Sequence, residues 1–344
     1  MLANLAEKRE PGRVITSVET QRVAIALRER FRTAVRQADG IEALQVTVRT
    51  DDGKAGVGFA TATPAITGDT LERMEAHIRA VLGEVVLRRA VTSDLLADVA
   101  AAAPASPSAT AAVDMAILEL LHQLDTLDAL SVATSVTVSA DTAEAMAASA
   151  RLRLDAGFTV LKLKLGVDPD GDLNRIQRVA EAVDGRAALW VDANQGWTKD
   201  QALRILHASV NLSVAPGMVE QPVDASELSD LAEIAASVPM PVFADESAKS
   251  PQDIERIADN GFVAGVNVKL MKFGGVTAAR RAITYAQSRG LEVLVGSMME
   301  HPASVACAVR LAAELSPTAV HDLDAAWWMV DPSPCVYDGG RVYV

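Results

Sequence analysis

Cysteine is almost missing from this sequence. Cys307 and Cys335 are the only two among 344 residues, and no spacing around them suggests a zinc knuckle or a disulfide framework. A reducing, cytoplasmic compartment is the expectation. Positive charge is also short: 32 lysines and arginines face 45 aspartates and glutamates, for a net charge of -13. That balance disfavours nucleic acid or an anionic membrane surface as the main partner. No apolar run reaches membrane-spanning length, and residues 1–14 carry mixed charges without a signal-peptide core, so a mobile amino end is expected. A glycine-rich dinucleotide loop is lacking too, because Gly274-Gly275 does not have its spacing. What is there in quantity is apolar bulk. Hydrophobic residues make up 50% of the chain, enough for a large core in one big or two ordinary domains.

Along the chain, residues 15–27, 41–49 and 56–60 read as an antiparallel meander, with an arginine-rich connection from Arg28 to Gly40. Helices are expected over 71–82 and, after the breakers Pro104 and Pro107, over 108–123. Residues 1–130 therefore suggest a small α+β domain. From Ser131 the pattern changes. Eight short apolar segments, at 132–138, 159–165, 188–191, 218–220, 242–244, 265–269, 292–295 and 318–322, alternate with helical stretches. This is the pattern of a β/α barrel over 131–325, with an open doubly wound sheet as its rival. The segment 326–344 is too short for a domain and is expected to return to the first one.

The most informative stretch is Thr159 to Gly166, T-V-L-K-L-K-L-G. Its period of two sends Leu161, Leu163 and Leu165 to the helix-facing side and leaves Lys162 and Lys164 pointing into the interior. A buried ammonium is stable there only if anions meet it. An edge strand with two surface lysines is the alternative on this stretch alone. The other strand ends carry polar groups as well: Asp192 and Asn194, Glu220, Asp245 and Glu246, Asn267 and Lys269, Ser297 and Glu300, Asp322 and Asp324. Barrel enzymes place their chemistry at those ends. Asp192, Glu220 and Asp245 come from adjacent strands and suit a hard divalent cation such as Mg²⁺; helix caps and salt bridges are the competing account. Asn194 suits the outer shell of that site, and Asn267 is placed there with it. Lys164 and Lys269 would stand on opposite sides of the mouth. A neighbouring cation, Lys162 or the metal, together with burial would bring an amine towards a working pKa. Two such amines can take an α-proton from one face of a substrate and return one to the other, which is racemisation or epimerisation.

These residues resemble the enolase superfamily in its muconate-lactonising subgroup. The lysine-x-lysine pair is met by Lys162 and Lys164, the aspartate-x-asparagine by Asp192 and Asn194, the metal glutamate by Glu220, the third ligand by Asp245 and the opposite lysine by Lys269. The resemblance implies an α/β fold, a modified (β/α)7β TIM-like barrel with an N-terminal α+β capping domain, and Mg²⁺ with lysine bases. Within the subgroup the chain is similar to dipeptide epimerases of the L-Ala-D/L-Glu kind, whose aspartate-x-aspartate is matched by Asp322 and Asp324. It implies that these two carboxylates hold a substrate α-ammonium and that Arg36 holds the substrate's glutamate side chain. Ser297 and Met298 are placed against the substrate on the same basis. N-succinylamino acid racemase and o-succinylbenzoate synthase chemistry share the metal and the lysines and remain alternatives, as does a silent barrel acting as an interaction protein. The expected partner is a small dipeptide, with a homo-oligomer among the family's forms and peptidoglycan turnover as a setting.

Overall fold

The computed structural model describes residues 13–121 and 130–344. Residues 1–12 of the expected mobile amino end, and the last two residues of the helix expected to reach Gln123, lie outside the described residues. The chain opens with an antiparallel sheet, β1 (Ile15–Arg32), β2 (Gln37–Thr50) and β3 (Ala55–Thr61), in that order. The arginine-rich connection proves far shorter than its composition suggests. Both strands run through it as a ribbon, with Arg30 on β1 pairing Asp39 on β2, and only residues 33–36 turn. A two-stranded ribbon wet on both faces tolerates charge at every position, so polarity alone hid it. A register shift between Ala26 and Phe31 twists the ribbon and turns Phe31 inward. Behind the sheet, the helix expected to stop at residue 82 continues to 86 through one stretch of π-geometry, and the alanine-rich segment divides into helices Ser93–Ala101 and Pro107–Leu120.

The second unit is a parallel barrel. Strands β4 (Ser131–Thr134) and β5 (Val136–Val138) form its first stave, broken at Ser135. There follow β6 (Val160–Lys164), β7 (Ala188–Asp192), β8 (Pro216–Glu220), β9 (Val242–Ala244), β10 (Gly265–Lys269) and β11 (Glu292–Gly296), each hydrogen-bonded to the next. The last stave, β12 (Val320–His321), meets β11 through a Gly296–Asp322 bridge and pairs in parallel with β4, which closes the ring. Helices follow the first seven staves on the outside. The tail divides its allegiance. Met329 bridges Leu27 on β1, but β13 (Val336–Asp338) and β14 (Arg341–Tyr343) form a hairpin whose β14 pairs with β4. The expected return of the whole tail to the cap is therefore corrected: its hairpin extends the barrel's first stave. Among the described residues no helix is long and apolar enough to cross a membrane.

Cap and barrel are fastened at named points. Phe59 on β3 stacks on His301 with ring centroids 3.5 Å apart, and Ser304 donates to the Phe59 carbonyl at 3.2 Å. On the other side Asp114, buried in helix Pro107–Leu120, accepts the Thr277 N–H at 3.2 Å, at the start of barrel helix Val276–Ser288. Burial pushes the Asp114 carboxyl up from 3.8 to about 6. Its folded value exceeds its unfolded one, so the folded state holds the extra proton between those values and stability falls as pH rises through them. Asp114→Asn, which cannot ionise, should lose that slope. Urea unfolding from pH 4 to pH 7 should show the wild type declining against the variant by up to about 3 kcal/mol and then levelling.

Candidate active site

The staves deliver their polar ends to one place because each stops as its side chain reaches the mouth. On β6, Leu161, Leu163 and Leu165 are buried on the helix side, while Lys162 and Lys164 enter the barrel as the period-two pattern predicts. Gly166 ends the stave at φ 83°, and a Cβ there would sit 2.3 Å from the Ala193 carbonyl oxygen, so the turn beside β7 requires glycine. Asp172 holds that corner by accepting the Gly166 N–H and the Trp197 indole N–H, both at 2.8 Å.

Lys162 is the hub. Its Nζ lies 2.8 Å from Glu220 Oε1, 2.8 Å from Asp322 Oδ2 and 3.1 Å from Asp192 Oδ2, with no exposed surface. Burial pulls its ammonium down, yet Asp322, Glu220 and Asp192 outweigh that and hold it well above the ordinary lysine value. Asn267 joins the same knot, donating to Glu220 Oε1 at 3.1 Å and to Asp322 Oδ2 at 3.2 Å. Above it lies a cavity of about 320 Å³ lined by Lys164, Asn194, Asp245, Lys269, Ser297, Met298, Asp322 and Asp324 from the barrel, and by Phe31, Val35, Arg36 and Ile66 from the cap. Lys164 Nζ meets Asp192 Oδ2 at 2.7 Å and Lys269 Nζ meets Asp245 Oδ2 at 2.6 Å. Three staves separate the two amines.

Several expectations need correction. Lys162, expected as the cation that tunes a neighbouring amine, is enclosed by carboxylates beneath the cavity. A lowered lysine pKa is not what Lys269 has: burial pulls it down, but Asp245, Asp322 and Glu220 together outweigh this and keep it raised. Asp322 is not a twin of Asp324 standing clear of the carboxylate ring; it is bonded to Lys162 and Asn267, whereas Asp324 accepts the Thr137 N–H and the Trp328 indole N–H. Glu246 also lines the cavity, because β9 ends at Ala244 and strand alternation no longer directs it away. Its Oε1 accepts from Asn194 at 3.2 Å, and Asn194 also gives its N–H to Asp192 Oδ1 at 2.9 Å.

The donors suit a divalent cation, although among the described residues no three acidic, histidine or cysteine side chains yet converge as a metal cluster. Ammonium groups stand between the carboxylates instead. Buried Glu220 Oε2, Glu246 Oε2 and Asn194 Oδ1 have no hydrogen-bond partner, which is costly unless positive charge or water meets them. Burial pushes the Glu220 carboxyl up to about 7 despite Lys162, with Asp192 and Asp245 adding to the rise. Glu246 is driven up to about 8, by burial and then by Asp245. Hard oxygen donors, deep and with unpartnered oxygens among them, fit Mg²⁺.

The sequence reading missed Lys272. It is buried, and its Nζ bonds the Asp245 carboxylate, the Asp245 carbonyl at 2.7 Å and the Asn267 carbonyl at 2.8 Å. The signal was its spacing: three residues beyond Lys269, one helical turn returns it beneath the same stave end. Removing one member of a buried ion pair is costly, so Lys272→Met should lower unfolding free energy by about 3 kcal/mol in urea titrations, with Lys272→Arg recovering part of it.

Fold and site together define an enolase-type barrel. Residues 145–344 match the enolase C-terminal domain-like family. L-Ala-D/L-Glu epimerase of Clostridium acetobutylicum is 31% identical over 96% of this chain and 94% of its own. The substrate-liganded L-Ala-D/L-Glu epimerase of Bacillus subtilis superposes with a TM-score of 0.89 at 30% identity, over 96% of each chain. The dipeptide epimerase of Methylococcus capsulatus, solved with Mg and L-Arg-D-Lys, gives 0.85 at 32% identity over 96% of this chain and 97% of that one. The chain belongs to the enolase superfamily and, within it, to the dipeptide epimerases.

Proposed function

We propose that this protein is a Mg²⁺-dependent isomerase that epimerises dipeptides at the α-carbon of the C-terminal residue, by 1,1-proton transfer through an enediolate, with L-Ala-D/L-Glu as substrate. The observation that carries the reading is the placement of Lys164 and Lys269 on separate sides of one cavity, each amine on a carboxylate. Asp192, Glu220 and Asp245 would hold the metal, with Asn194 and Asn267 supporting them. When bound, Mg²⁺ supplies positive charge opposite the substrate carboxylate, where the enediolate's charge develops. Lys269, kept as an ammonium by Asp245, Asp322 and Glu220 against the pull of burial, is poised as the donor on its side. Lys164 works the opposite face, and Lys162 beneath them balances the carboxylates.

Substrate preference rests on two charges of opposite sign in the wall. Asp324, with Asp322 nearby, suits a free α-ammonium, which N-succinylamino acids and the o-succinylbenzoate precursor lack. Arg36, in the turn between β1 and β2, is half-buried and makes no ion pair among the described residues; desolvation lowers its pKa. A substrate carboxylate there would restore its lost solvation. Ser297 and Met298 complete the wall, and the named relatives include epimerases of this preference. A silent barrel is disfavoured because the lysines and carboxylates are all in place.

Two outcomes test this. With Mg²⁺ in D₂O, Lys164→Ala and Lys269→Ala should each lower epimerisation of L-Ala-L-Glu by at least about 10³-fold, and one should still exchange the α-proton of a single epimer by NMR. Full turnover in either variant would refute the two-amine mechanism. Arg36→Met should raise KM about 10- to 100-fold for dipeptides with an acidic second residue and leave apolar dipeptides near the wild-type value. An unchanged preference moves that role to another residue.

A further inference from the structure

Asp324 does not stand in the cavity wall alone. Its Oδ2 accepts the Thr137 N–H at 2.6 Å and the Trp328 indole N–H at 3.0 Å, so both donors meet the same oxygen of a side chain that lines the cavity. Trp328 is 1% exposed and is braced on two sides. The Arg153 guanidinium, 2% exposed, lies over it with Cζ 5.1 Å from the ring centroid and also covers Trp327 at 4.7 Å. Phe31 packs edge-on against Trp328 with centroids 5.2 Å apart, and Phe31 itself lines the cavity from the cap. Arg153 comes from barrel helix Ala143–Asp155 and forms its ion pair with Glu29 on β1, two residues before Phe31.

We propose that Trp328 is a positioning residue for recognition of the substrate's ammonium group. Through the Arg153–Glu29 pair and the Phe31 ring, it makes the aim of Asp324 depend on the seating of the cap strand. This rests on the reading of the cavity as a dipeptide site. A carboxylate in a dry wall can rotate about its last bond, and an ammonium then gains only from the fraction correctly turned. Two donors on one oxygen remove that freedom before the ligand arrives. The indole supplies the donor that a phenyl ring cannot, and the guanidinium stacked on it fixes the ring plane. Glu29 neutralises a buried arginine whose charge would otherwise be left uncompensated in the core.

The test uses the full chain loaded with Mg²⁺ and two ligands that differ only in the amino-terminal charge, L-Ala-L-Glu and N-acetyl-L-Ala-L-Glu, with affinities from calorimetry and turnover of the free dipeptide. Trp328→Phe should cut the preference for the free ammonium about tenfold and raise KM by a similar factor, with kcat within about twofold of wild type. Arg153→Met, which keeps the indole, should shift the preference in the same direction by less, and it carries the test should Trp328→Phe fail to fold. Because the indole acts through Asp324, Trp328→Phe should add little to Asp324→Asn in the double variant. Equal losses for both ligands, a fall in kcat alone, or fully additive effects with Asp324→Asn would overturn the proposal. A wild-type protein that binds and turns over the free dipeptide without preferring it to the acetylated one would also overturn it. One that neither binds nor exchanges L-Ala-L-Glu would instead overturn the dipeptide reading beneath it.

Discussion

The arrangement depends on one buried ammonium. Lys162 sits without solvent among Glu220, Asp322 and Asp192, and none of those carboxylates could share so small a volume without it. Three anions closing on one another in a dry interior would repel and take up protons. With Lys162 between them they are pulled together, and the staves that carry them are held at the spacing the site needs. Lys162 is paid for by those anions in turn, since an unpaired ammonium would not remain charged there. The knot nevertheless leaves one group unsatisfied. Glu220 retains an unpartnered oxygen, and burial, with Asp192 and Asp245 adding to it, raises its carboxyl to about 7 despite Lys162.

From that knot the rest of the mouth follows in layers. Asn267 ties Glu220 to Asp322, and Gly296 on the neighbouring stave leaves it room, for a Cβ there would lie 2.3 Å from Asn267 Oδ1. Lys272 grips Asp245 from below and frees its other oxygen to meet Lys269. Each side chain at the cavity surface is thus held by one beneath it, and that order lets two amines approach from separate sides.

The sequence was most legible where a period constrained it. Alternation on β6 determines which way Lys162 and Lys164 point, and the spacing of polar strand ends locates the mouth of the barrel. It was least legible where the period stopped. Beyond Ala244 the alternation ends, so Asp245 and Glu246 both reach the cavity. Residues 33–36 look like part of a long polar loop because a solvated ribbon has no apolar face to announce it. Lys272 was missed because strand reasoning looks two residues away, whereas the chain has already turned into a helix and the relevant neighbour is three away. The partition of Asp322 from Asp324 was hidden for a different reason: an aspartate-x-aspartate motif places two carboxylates on one side of the chain, but only tertiary contacts decide that one answers to Lys162 and the other to Trp328.

Barrel and cap contribute different parts of the cavity wall. Among the described residues, the amines and carboxylates that line the cavity come from barrel staves or the residues just past them. Phe31, Val35, Arg36 and Ile66, all on cap segments, line the same cavity from the other side. Changes in those segments can alter the wall without disturbing the buried charges, which is a physical reason for one proton-transfer apparatus to serve different dipeptides. The arrangement holds only while the cap is seated in register. Phe59 on His301, Asp114 at the head of a barrel helix, and Glu29 on Arg153 fasten it at three separated points, and three such points fix a rigid body.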